Sequence, residues 1–169
     1  EQSDAIMLSG ETSVGKYPVR SVETLIRIAR RTENFPGVNF TEKLIKGNNG
    51  QHLAASAIQI ATNLKIRATV VITRNGRGAG YLSNLRPRRI GIYSFTNSPK
   101  VFTSMMLYRG VYPFLMELRD NPEDTIQDAL GILQKTEGFA AEEQVVVLAN
   151  ILTGEGYRTS LQIRSIPAA

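Results

Sequence analysis

The run Ala68-Thr69-Val70-Val71-Ile72 constrains this chain most. It is short, apolar and mostly β-branched. A stretch with apolar residues at helical spacing (Leu53, Ala57, Ile60, Leu64) precedes it, and a glycine-rich loop follows it. A strand apolar on both sides must be buried on both faces, as in a parallel sheet. The pattern recurs. Strands are predicted at 90–93, 111–115 and 144–149, with helices at 51–63, 78–85, 98–107 and 124–135 between and before them. The last stretch, Thr159 to Ile166, alternates Leu161 and Ile163 and suits an antiparallel edge strand. The predicted fold is α/β: an open, mostly parallel five-stranded sheet with helices on both faces and an antiparallel last strand.

The first residues repeat the theme once. Ala5-Ile6-Met7-Leu8 reads as a short buried strand and Ser9-Gly10-Glu11-Thr12 as a polar loop. A helix opens at Pro18, where the missing N–H does no harm. Val19, Val22, Ile26 and Ala29 recur along it at helical spacing. One βα unit cannot bury both faces of its strand. The expectation is therefore that residues 1–35 end a larger α/β domain, and that residues 36–50, with Pro36, Gly37, Gly47 and Gly50, form a connector.

Composition narrows the chemistry. The 169 residues include no cysteine and one histidine, His52, so neither a disulfide framework nor a cysteine- or histidine-rich metal site is available. That fits a cytoplasmic protein. No apolar run approaches the roughly 20 residues needed to span a membrane. The net charge of +5 is unevenly spread. Residues 51–119 hold ten Lys and Arg and one acid, whereas residues 120–169 hold eight acids and three bases. A basic middle third points to an anionic partner or to a solvated face. Arg86, Arg88 and Arg89 surround Pro87, but no interleaved aromatics or nucleic-acid motif accompany them, which argues against nucleic acid.

Two loops lie where open α/β sheets bind ligands, beyond the carboxyl ends of strands. Thr73-Arg74-Asn75-Gly76-Arg77-Gly78 offers a hydroxyl, two guanidiniums, an amide and bare backbone before a helix start. Those groups suit a phosphate. The loop is neither a Walker A sequence nor a GxGxxG fingerprint, so it reads equally as a polar turn. The second loop, Asn150 to Arg158, contains Gly154 and Gly156 and suits a hairpin tip. Gly110 suits a helix stop, and His52 reads as structural.

Asp4 to Glu33 resembles the last barrel strand, loop and helix of the pyruvate kinase family. Residues 52–87 are similar to the first helix, strand and loop of that family's C-terminal domain. Phe95 to Pro113 resembles its "NP…RGV.P" stretch. The resemblance implies a parent enzyme of glycolysis moving a phosphoryl group from phosphoenolpyruvate to ADP with Mg²⁺ and K⁺. The family's catalytic and metal-binding residues lie on earlier barrel strands, so this chain alone is expected to be inactive and to hold no cofactor. The resemblance further implies an allosteric domain that binds a sugar phosphate, packs on its own catalytic barrel and assembles into a homotetramer.

The family's effector loop has the pattern T-K/R-S-G-R-S/T. Thr73, Arg74, Gly76 and Arg77 match it, while Asn75 and Gly78 replace two hydroxyls. Asn75 retains a donor amide, and Gly78 offers only backbone. The second effector loop, G-W-R-P-G-S-G in eukaryotic members, aligns with residues 150–156. Ile151 and Leu152 replace the tryptophan and arginine, and Glu155 replaces the serine. A carboxylate there repels phosphate. A further family arginine falls near Ile126. Gly154, Glu155, Gly156, Tyr157 and Arg158 are kept as candidate residues, with Arg158 as a substitute anion ligand. A monophosphate is then expected over a bisphosphate. An assembly domain without effector, and a free-standing anion- or nucleic-acid-binding module on the same fold, remain as alternatives.

Overall fold

The computed structural model describes residues 3–35, 44, 46–153 and 156–168. Most of the expected connector, and Gly154 and Glu155, lie outside the described residues. Among the described residues, six helices and five strands follow in order: α1 (Gly10–Ser13), α2 (Pro18–Thr32), α3 (Asn49–Asn63), β1 (Ala68–Ile72), α4 (Arg77–Asn84), β2 (Gly91–Thr96), α5 (Pro99–Met105), β3 (Val111–Leu115), α6 (Pro122–Glu137), β4 (Gln144–Thr153) and β5 (Gly156–Ser165).

The strands form one sheet in the order β3-β2-β1-β4-β5. β1 pairs in parallel with β2 and β4, β2 pairs in parallel with β3, and β5 runs antiparallel to β4. The β-branched runs lie at the centre, where both faces are covered. On one face α3, α4 and α5 set Ala57, Leu82 and Met105 against Val71, Ile92 and Val146. On the other, α6 sets Ile126, Leu130 and Leu133 against Val70, Phe95 and Val147. Successive residues of β1 thus serve opposite cores, as the strand period requires.

Local chemistry places the helix starts. Asn48 accepts the Gln51 N–H at 3.1 Å, Ser98 that of Val101 at 3.4 Å, and Asn121 that of Glu123 at 3.1 Å. Proline occupies the first turn of α2, α5 and α6. Gly138, at φ 65°, ends α6 in the left-handed conformation that favours glycine.

Several boundaries differ from the sequence reading. β2 continues to Thr96, because Ser94 and Thr96 are buried despite their polarity. Ser94 Oγ satisfies itself on Met105 Sδ at 3.0 Å. α5 stops at Met105, two residues early, and α6 runs two residues further at each end. Much of the expected loop at 150–158 is strand: β4 reaches Thr153 and β5 starts at Gly156. Residues 5–8 form no strand. They are irregular, with Ile6 and Met7 exposed, because no neighbouring parallel strand is available to them among the described residues. The Ser9–Thr12 loop is largely the single turn α1. α2 forms as expected, yet Val19, Val22, Ile26 and Ile28 stay exposed and none of its residues is buried.

Candidate functional site

The loop after β1 is built by its own side chains. Thr73 is still held by the sheet, its N–H donating to the Phe95 carbonyl at 2.9 Å. Its buried hydroxyl accepts the N–H of Gly76 at 3.0 Å and of Asn75 at 3.4 Å. Asn75 Oδ1 accepts the Arg77 N–H at 3.1 Å and lies 3.4 Å from Thr73 Oγ1. Gly76 completes the turn at φ 76°, ψ −5°, where an L side chain is strained. A Cβ there would also meet Val101 Cγ1 at 3.3 Å. The loop is a turn in its own right, with two amides at the start of α4 already bonded.

Two further amides at that helix end, of Gly78 and Ala79, make no hydrogen bond within the described residues. They point along the helix axis with its positive end. The expected donor role of Asn75 is divided. Its carbonyl oxygen is spent on the turn, and its Nδ2 group keeps its hydrogens for another acceptor. Gly78 has a packing reason: a Cβ would stand 2.8 Å from Val71 Cγ2. Arg74 and Arg77 are exposed, and neither guanidinium has an ion-pair partner among the described residues.

The loop forms one wall of a cavity of about 520 Å³. Val71 and Ile72, at the carboxyl end of β1, and Leu148 and Ala149, in the middle of β4, form its floor. Strand order reverses between these two strands, the place where open α/β sheets hold ligands. Arg74, Asn75, Arg77 and Tyr81 stand on one side; Leu118, Arg119, Pro122 and Thr125 face them at the start of α6. Gly50 and Thr159 complete the rim. Arg119 is tied down: its Nε donates to Asp128 Oδ2 at 2.5 Å and its backbone N–H to Thr125 Oγ1 at 2.9 Å. The Asp128 carboxylate raises the pKa of the guanidinium further. Its terminal nitrogens have no other bond among the described residues, which gives the cavity a cation opposite Arg74 and Arg77.

The first candidate loop therefore lines the cavity, with the exception of Gly76, which lies beneath it against α5. The second contributes less among the described residues. Gly156 pairs with Thr153, and Arg158 pairs with Ile151 along the β4–β5 ladder. The cavity takes Thr159 from β5, and strand alternation turns Arg158 to the opposite face. Gly154, Glu155 and the Tyr157 side chain lie outside the described residues. Sequence reading missed Tyr81, Arg119, Thr125 and Thr159. Tyr81, one turn beyond Arg77 on α4, was within reach of helical spacing; the other three arrive from distant elements. Among the described residues no three of His, Cys, Asp and Glu group as a metal site. No described helix is long and apolar enough to cross a membrane.

Comparison with known proteins agrees with this architecture. The family model for the pyruvate kinase alpha/beta domain matches residues 51–163. Pyruvate kinase isozyme G, chloroplastic, of Ricinus communis is 38% identical over 151 residues, covering 88% of this chain and 35% of that protein. A pyruvate kinase of Sporosarcina psychrophila is 32% identical over 163 residues, covering 94% of this chain and 28% of its own. Among solved structures, the pyruvate kinase of Cryptosporidium parvum in complex with ADP superposes with a TM-score of 0.78 at 22% identity, over 95% of this chain and 33% of that one. That likeness is one of fold. The chain spans about a third of the length of these relatives. With the β3-β2-β1-β4-β5 sheet and the family match over most of its length, the chain belongs to the pyruvate kinase alpha/beta domain family.

Proposed function

We propose that this chain is the C-terminal part of a glycolytic pyruvate kinase of the cytoplasm, an enzyme that moves a phosphoryl group from phosphoenolpyruvate to ADP. Residues 1–35 then close the catalytic barrel, residues 36–50 connect, and residues 51–169 are the allosteric and assembly domain. Relatives that align over 94% of the chain, well beyond residues 51–163, support this division. The exposed apolar stripe of α2 is what a barrel helix without its barrel presents. Mg²⁺ and K⁺ are assigned to the remainder of the enzyme on the family resemblance, which puts the metal-binding residues on earlier barrel strands. β5, ten residues long with Ile163 exposed, offers a sheet edge for assembly into a homotetramer.

The cavity beside Thr73–Gly78 is assigned to a sugar-phosphate effector. One observation carries this reading: Arg74 and Arg77, without acid partners among the described residues, flank a helix start with two amides unused among those residues, at the strand-order reversal. The cations are concentrated at one end, and Arg119 opposite is half engaged by Asp128. That asymmetry favours a monophosphate. Titration with glucose 6-phosphate, ribose 5-phosphate and fructose 1,6-bisphosphate, followed by thermal shift, tests it. A ligand of the folded state raises Tm, and the monophosphates should do so at lower concentration.

A second reading, an assembly domain with no effector, draws on the self-capping of the loop. Thr73 and Asn75 already satisfy the amides of Gly76 and Arg77. Unchanged Tm at millimolar concentrations of all three sugar phosphates would select it.

A further inference from the structure

The cavity beside the 73–78 loop carries positive charge on two walls. Arg74 and Arg77 stand on the loop side, and Arg119 faces them from the segment leading into α6. Among the described residues no Asp or Glu lines it. Between the two walls the floor is apolar. At about 520 Å³ the space has the size of a small-molecule site and leaves room beyond a lone phosphate.

Arg119 is held in place without being used up. Its N–H donates at 2.9 Å to Oγ1 of Thr125, a buried residue of α6. Its Nε donates to Asp128 Oδ2 at 2.5 Å. Its two terminal nitrogens make no further bond among the described residues. A guanidinium edge presents N–H groups in one plane, the geometry that the two oxygens of a carboxylate match.

The two ends differ in charge. The loop end has two guanidiniums without acid partners among the described residues. At the other end Asp128 bonds Arg119, and Asp124 and Glu117 act on it through space; all three raise its pKa. Ile126, where the family resemblance places a further arginine, is buried in the core and brings no charge. Repulsion from these carboxylates grows with the charge of the ligand. A second phosphate dianion is therefore disfavoured there, and a single negative charge is tolerated.

We propose that the ligand of this cavity is a sugar-acid monophosphate, with its phosphate on Arg74, Arg77 and the start of α4 and its carboxylate on Arg119. The proposal rests on the reading of the 73–78 loop as an anion site and narrows the ligand class of that site. Arg119 then discriminates between ligands that share a phosphate, and Asp128 limits the charge that the far end accepts.

The test uses the 169-residue chain and calorimetric Kd values for three probes. 6-Phosphogluconate and glucitol 6-phosphate share an open six-carbon chain and one phosphate; they differ in a carboxylate against a hydroxymethyl group. Fructose 1,6-bisphosphate brings a second phosphate instead. In the unaltered chain the acid should bind about tenfold more tightly than the polyol, the worth of one charge-assisted contact, and more tightly than the bisphosphate. Arg119→Gln should bring acid and polyol to nearly equal Kd. Asp128→Asn, which keeps the Arg119 charge, should tighten the bisphosphate more than the polyol. Equal Kd for acid and polyol in the unaltered chain overturns the carboxylate subsite and leaves the phosphate site standing. A preference for the acid that survives Arg119→Gln overturns the assignment to Arg119. A bisphosphate that binds more tightly than the acid overturns the charge limit. Absence of binding by all three probes overturns the anion site, and the subsite with it.

Discussion

Gly78 lies so close to Val71 that a Cβ on the glycine would stand 2.8 Å from Val71 Cγ2. Val71 is buried in the core and its branched side chain is stiff, so it cannot swing away cheaply. Gly78→Ser should therefore overpack α4 on β1, destabilising by about 1–3 kcal/mol in urea unfolding. It should not tighten glucose 6-phosphate, although it restores the hydroxyl of the family pattern. Unchanged stability with tighter binding would mean that the hydroxyl, not the packing, decides this position.

Thr73 and Gly76 make a second pair with a measurable consequence. Thr73→Val keeps the shape and removes the acceptor for the buried Gly76 N–H, a loss of about 1–3 kcal/mol. Thr73→Ser retains the acceptor and should lose much less. Gly76→Ala meets both the positive φ and Val101 and should cost about 1–2 kcal/mol. Denaturant midpoints of the three variants check this order.

Acid stability should depend on Glu143. Arg67 donates to both of its carboxylate oxygens, at 2.5 and 3.2 Å, while its guanidinium lies 3.8 Å over the Phe139 ring. The hydrogen bonds from Arg67, with the Ala140 N–H at 3.0 Å, hold the Glu143 carboxyl below the usual carboxylate range. A depressed folded-state pKa stabilises the fold above the unfolded-state value, about pH 4.3 for glutamate. That stability is lost as pH falls through the folded-state value. Glu143→Gln should thus lower Tm at pH 7, and the gap to the unaltered chain should close as the pH is taken below about 4. Part of Arg67 is exposed, so added salt should narrow the gap at pH 7.

The sheet was legible where apolar letters and burial coincide. Ala68–Ile72 and Val111–Leu115 are strands over the stretches that hydrophobicity marked. β2 was cut short because Ser94 and Thr96 are polar residues that bond internally, which periodicity cannot register. Residues 5–8 show the converse: strand-like letters form no strand when their pairing partners are absent from the described residues. One wall of the candidate site was readable, since Thr73 to Gly78 is a continuous segment whose chemistry is local. Arg119, Thr125 and Thr159 reach the cavity only through the order of the strands. Gly78 read as a lost hydroxyl because nothing in the sequence places Val71 beneath it.

The central claim is that Arg74 and Arg77 hold a phosphate beside α4. Its most direct test is the calorimetric isotherm of glucose 6-phosphate on the unaltered chain and on Arg74→Ala/Arg77→Ala, each at low and high salt. Both arginines are exposed and without ion-pair partners among the described residues, so stability should change by no more than about 0.5 kcal/mol. Binding to the unaltered chain should weaken with salt, and the double variant should abolish it. Undiminished binding by the double variant would contradict the claim.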